Sequence, residues 1–107
     1  MMANPQRGEI ALCIDGTERR LRLTLGSLAA LETRLQAGSL MGLAERFETG
    51  RVATADLIAL LAAGLEGAGE CIDEASLAQA EIEGGASGAM RAGMSLLGRA
   101  FQPLEDG

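Results

Sequence analysis

The stretch Thr-Ala-Asp-Leu-Ile-Ala-Leu-Leu-Ala-Ala-Gly-Leu, residues 54–65, decides the fold. Leu57, Leu61, Leu65 and Ala68 recur at helical spacing, while Ile58, Leu60 and Ala62 widen the apolar arc beyond the stripe a surface helix needs. A helix that is apolar most of the way round must be covered on several sides, so this segment is expected at the centre of the molecule. Thr54 reads as its N-cap, and Asp56 falls in the first turn, where a negative charge opposes the positive end of the helix dipole. Gly64, Gly67 and Gly69 read as its end, because glycine weakens a helix and adopts the left-handed conformation that closes one. The run is too short to cross a bilayer, which takes roughly 20 apolar residues.

Upstream, residues 8–25 carry the period-two alternation of a β-hairpin. Ile10, Leu12 and Ile14 share one face, and Leu21, Leu23 and Leu25 follow after Asp15-Gly16. A loop of about four residues, 15–18, sets Leu12 opposite Leu21 and Ile10 opposite Leu23. Pairing of like faces favours it over the tighter Asp15-Gly16 loop, which would place Leu12 opposite Arg19. The other face, with Glu9, Ala11, Cys13, Arg20, Arg22 and Thr24, reads as mostly wet. A hairpin alone is marginal in water, so its apolar face must lie on helices.

Ser27 and Ser39 read as N-caps of two short helices. The first turns Leu28, Leu31 and Leu35 inward; the second turns Leu40, Leu43, Ala44 and Phe47 inward and stops at Gly50. Asp73-Glu74 opens a short amphipathic helix carrying Leu77, Ala78 and Ile82. Gly84-Gly85 precedes a last helix, 86–101, with Met90, Met94, Leu97 and Phe101 along one face, and residues 102–107 read as a frayed acidic tail. Residues 1–107 contain no internal repeat and no long linker, so they read as a single domain. Its expected class is α+β, mostly α: the N-terminal β-hairpin, 8–25, packs on a helical region, 27–101, of about four to five short helices.

Trp and Tyr are absent and Phe47 and Phe101 are the only aromatic residues, so Leu, Ile, Ala and Met must fill the core and modest stability is expected. Acidic residues number 15 against 9 basic ones, all arginine, for a net charge of -6. That balance argues against nucleic acid as a partner, since neutralising phosphates takes a clustered basic surface. There is no histidine, the commonest general base and metal ligand, and no nucleophile-elbow, Walker or metal-binding helix motif. The chain is therefore expected to be no enzyme and to hold no cofactor or metal. The run 64–69 has glycines like a phosphate-cradling loop, but it follows a helix rather than a strand and reads as a helix end. Glu66, Glu70, Asp73, Glu74, Glu81 and Glu83 read as a solvated acidic face. Cys13 and Cys71 belong to no paired motif and read as separate reduced thiols of a cytoplasmic protein.

Two groups of residues are candidates for binding a partner. Arg20 and Arg22, with Arg19, form the only basic cluster; they read as a charged outer sheet face that also offers an anchor for an acidic partner. Met90, Met94, Leu97 and Phe101 form an apolar stripe on a helix weakened by Gly88, Gly93 and Gly98. Methionine adapts to irregular partners as well as to cores, which makes this stripe a candidate docking face.

Three stretches in order carry a resemblance: Ala-Asn-Pro-Gln-Arg-Gly-Glu-Ile (3–10), Leu-Thr-Leu-Gly-Ser-Leu-Ala-Ala-Leu-Glu (23–32) and Asp-Leu-Ile-Ala-Leu-Leu-Ala-Ala-Gly-Leu-Glu-Gly-Ala-Gly (56–69). With them the chain resembles the gene transfer agent tail proteins, small proteins of phage-like particles of alphaproteobacteria. Similar proteins are described as tail tube-associated or tail assembly chaperone proteins. The resemblance spans nearly the whole chain, including the hairpin followed by helices. It implies a cytoplasmic factor of tail morphogenesis that holds the tape measure protein soluble and recruits tail tube subunits, so those two proteins are the implied partners. The family carries over no catalytic motif and no binding residue. A structural subunit retained in the particle is the alternative within the family. A small helix-turn-helix regulator is the alternative outside it, disfavoured by the charge and by the lack of a basic helix. A homo-oligomer stays open, and neither a membrane nor a nucleic acid is an expected partner.

Overall fold

The computed structural model describes residues 9–70 and 72–101. In chain order they form β1 (Ile10–Ile14), β2 (Thr17–Leu21), α1 (Leu25–Glu32), α2 (Leu40–Thr49), α3 (Thr54–Gly67), α4 (Glu74–Gln79) and α5 (Gly85–Phe101). This is the expected α+β architecture, mostly helical, with the hairpin at its N-terminal end.

The organising element is α3. Between Asp56 and Leu65 every residue but Ile58 is buried, and α1, β2, α4 and α5 all pack on this helix. Leu60 and Leu65 are fully covered. The helix does not end at Gly64, as expected, but runs through it to Gly67; the chain turns only at Gly69, whose φ is 87°. The two helical glycines are where the hairpin rests. A Cβ on residue 64 would lie 2.6 Å from Leu96 Cδ2 and 3.1 Å from Leu21 Cβ, and one on residue 67 would overlap the Arg22 carbonyl oxygen. The Arg22 main-chain N–H also donates to the Gly64 carbonyl oxygen over 2.8 Å. Backbone thus meets backbone along one side of α3, which only residues without a Cβ permit.

The first turn of α3 also differs from expectation. Ala53 holds the N-cap position without a side-chain bond, and Thr54 is the first helical residue. Asp56 does lie in the first turn, but its carboxylate turns inward, with 1% of the residue exposed. It accepts from the main-chain N–H groups of Gln36, at 2.8 Å, and Ala37, at 3.0 Å. One buried carboxylate therefore satisfies two donors of the loop between α1 and α2 and pins that loop to the core. Asp56→Ala is expected to cost about 2 kcal/mol in urea unfolding, the scale for hydrogen bonds to a charged acceptor.

The hairpin closes through Asp15-Gly16, with φ values of 53° and 80°, so the preferred longer loop is corrected. Left-handed backbone at both turn residues matches the twist of the strands, and Asp-Gly is the dipeptide that tolerates it. Ile10 consequently pairs with Leu21, Leu12 with Arg19 and Ile14 with Thr17. Turn geometry outweighs the like-with-like pairing that the alternation suggested. Arg19 reaches past the sheet to Glu70, with Nη1 3.0 Å from Oε1. The second strand ends at Leu21 rather than 25: Leu23 is half-buried, and Leu25 opens α1 with 85% exposure.

Caps set the remaining boundaries. Thr24, not Ser27, caps α1: its hydroxyl oxygen accepts from the Ser27 N–H at 3.0 Å. Ser39 caps α2 through the Gly42 N–H, and Gly50 ends that helix with φ 73°, both as expected. Asp73 caps α4 through the Ser76 N–H at 2.8 Å; the Ser76 main chain and then its side chain hold the Asp73 carboxyl below its ordinary range. Helix α4 stops at Gln79, so Ile82 is not part of it; Ile82 instead forms a bridge with Ile14 beside β1. The expectations for the tail, 102–107, for Gly8 and for Cys71 fall outside the described residues.

Candidate docking grooves along the last helix

Helix α5 meets the core with small residues. Its buried positions are Gly88, Ala89, Ala92, Gly93, Leu96 and Leu97. Gly93 is the closest point, where a Cβ would stand 2.9 Å from Phe47 Cζ and 3.0 Å from Leu57 Cδ1. Small side chains bring the helix axes together, so the larger apolar residues of α5 are displaced to the flank of the contact. Of the stripe, Met90, Met94 and Phe101 lie on that flank, whereas Leu97 joins Leu96 among the buried positions. Leu97 is buried, Met90 is half-buried, and Met94 and Phe101 are 52% and 46% exposed.

These residues line two grooves rather than one. Met94, Leu97 and Phe101 face Ala44, Phe47 and Glu48 of α2 across a groove of about 220 Å³. Met90 instead lines a larger groove of about 900 Å³ with Val52, Ile58, Leu77, Ile82 and Ala86. Met90 and Met94 are one turn apart, so the two grooves open on the same side of α5. Helix α2 adds a residue the sequence pattern did not single out: Met41, 67% exposed and one turn before Ala44. Its spacing with Ala44 and Glu48, i, i+3 and i+7, was the available signal. The larger groove gave no local signal, because its walls come from the start of α3, from α4 and from the segment joining α4 to α5.

Arg20 and Arg22 lie elsewhere, on β2 and just after it, beside α3. Both are half-buried rather than on an open face. The Arg20 main-chain N–H approaches Glu70 Oε2 at 3.4 Å, and the Arg22 N–H is taken by Gly64. The fold therefore does not bring the two arginines together with the α5 stripe. No helix among the described residues is long and apolar enough to cross a membrane.

No curated protein and no solved structure matches the chain. A family model does, over residues 7–103: phage tail tube protein, GTA-gp10. The described elements all lie within that match. The chain belongs to this gene transfer agent tail family.

Proposed function

We propose that the protein is a tail assembly chaperone that binds an apolar helical segment of the tape measure protein along α2 and α5 and recruits tail tube subunits in the cytoplasm. It acts by binding, with no catalytic step and no cofactor. One observation carries this proposal: of the four large apolar side chains that stand exposed among the described residues, Met41, Met94 and Phe101 belong to the two helices that frame the smaller groove. A tape measure is long and helical and exists before the shell that will enclose it, so its apolar stripes need cover. A groove lined by the adaptable Met94, with the exposed Met41 one turn before Ala44 on α2, suits successive, non-identical helix faces. Ligation of the free tape measure also lowers the population available to aggregate by simple mass action.

Co-expression with the tape measure protein of the same particle tests this. The tape measure is expected to become soluble and to co-purify with this chain; a soluble tape measure that never associates with it would sink the proposal. The family's description as a tail tube protein supports the alternative, a subunit that stays in the tail. Protein analysis of purified particles separates the two: a chaperone is absent from them, whereas a subunit is present in stoichiometric amount.

A further inference from the structure

The two outer edges of the hairpin are treated differently. Along β2 the outward N–H of Arg20 is met by Glu70 and, just beyond the strand, that of Arg22 by Gly64, while that of Glu18 beside the turn has no partner among the described residues. Along β1 the described residues cover only the tip: Asp15 N–H donates to the Glu81 carbonyl at 2.8 Å, and Glu83 N–H donates to the Cys13 carbonyl at 3.0 Å. The chain then leaves the sheet at Gly84 and Gly85, both left-handed, and enters α5. Strand alternation turns the N–H and C=O of Ala11 the same way as those of Cys13 and Asp15, away from β2. Ala11 is exposed, and neither group has a hydrogen-bond partner among the described residues.

Beside this open edge runs a polar row. Arg91, Ser95 and Arg99, at i, i+4 and i+8 on α5, face Ile10, Ala11 and Leu12 across a groove of about 380 Å³. Arg91 and Arg99 are exposed and have no ion-pair partner among the described residues. Glu83 lines the same groove, at the end where the 81–83 segment already fills the edge. The row is about 12 Å long at the helical rise, which spans some three to four residues of extended chain.

We propose that the outer edge of β1 at Ala11, flanked by Arg91, Ser95 and Arg99, is a docking site for an acidic extended peptide segment of a partner protein, which adds to the sheet as a further strand. The outward N–H and C=O of Ala11 supply main-chain pairing, and the arginines select negative side chains. A nucleic acid would use the arginines but not the edge, and the net charge of -6 opposes it. The site uses neither apolar groove and stands whether or not a tape measure binds there.

The test titrates the ¹⁵N-labelled full chain with a blocked hexapeptide of alternating glutamate and valine, and with its lysine counterpart. The acidic peptide is expected to move the Ala11 amide and the Arg91 and Arg99 side-chain resonances, and to bind at least about tenfold more tightly than the lysine peptide. Ala11→Pro, which removes the outward donor without touching a β1–β2 bond, is expected to abolish that binding. Should that variant fail to fold, the exposed pair Arg91→Glu and Arg99→Glu decides, by reversing the preference to the lysine peptide. An Ala11 amide that stays still at millimolar peptide, or a charge reversal without effect, overturns the proposal.

Discussion

Leu60→Asp abolishes cooperative thermal unfolding, as followed by far-ultraviolet circular dichroism. Leu60 is fully covered in the middle of α3 and one of its methyl groups would lie 3.2 Å from a Cβ on Gly93, so its side chain points at the closest approach of α5. A carboxylate there has no donor to meet and no route to water. Burying it costs several kcal/mol, against a total stability of about 5–15 kcal/mol for a domain of this size. A cooperative transition within a few degrees of the wild-type midpoint would show that α3 is not the shared wall of the core.

Gly67→Ala is expected to destabilise the protein by about 3 kcal/mol, the upper end of the range for overpacking, because the new methyl group overlaps the Arg22 carbonyl oxygen. Backbone cannot swing aside as a side chain can, so β2 must lift from α3. The sign is the informative part. Alanine is the better helix former by about 1 kcal/mol, and helix propensity alone would raise the melting temperature. Gly98→Ala supplies the comparison: a Cβ there meets nothing within 4 Å, so this change is expected to stabilise by about that same 1 kcal/mol. A rise in melting temperature for both would mean that α3 and the hairpin do not touch at Gly67.

The contrast between these glycines shows what could be read from the residues and what could not. The central helix is legible because burial on all sides leaves a mark in composition: between Leu57 and Leu65 every residue but Gly64 is apolar, and all but Ile58 are buried. Local chemistry also located Ser39, Gly50 and Asp73, whose roles need only neighbours within a few residues. A glycine that ends a helix and one that admits another chain segment look alike in sequence, so Gly64 and Gly67 read as a stop. Asp56 stands in the first turn as expected, but its inward turn is not legible, since the N–H groups that hold it lie 19 and 20 residues away. In the hairpin Asp15-Gly16 is a legible turn signal, and its backbone geometry prevails over the pairing of like side chains. In α5 the size of a side chain does not report its depth: Ala89, Ala92 and Gly93 take the core contact, and the larger Met94 and Phe101 are left outside. That displacement is what makes the stripe available to a partner.

Its use is tested most directly by calorimetric titration of an apolar helical segment of the tape measure protein against the wild type and the double variant Met94→Glu, Phe101→Glu. Both side chains are about half exposed, so the variant is expected to melt within a few degrees of the wild type. Two lost anchors at about 1 kcal/mol each are expected to raise Kd roughly thirtyfold. Unchanged affinity, or a loss that only tracks a fall in melting temperature, would contradict a docking role for α2 and α5.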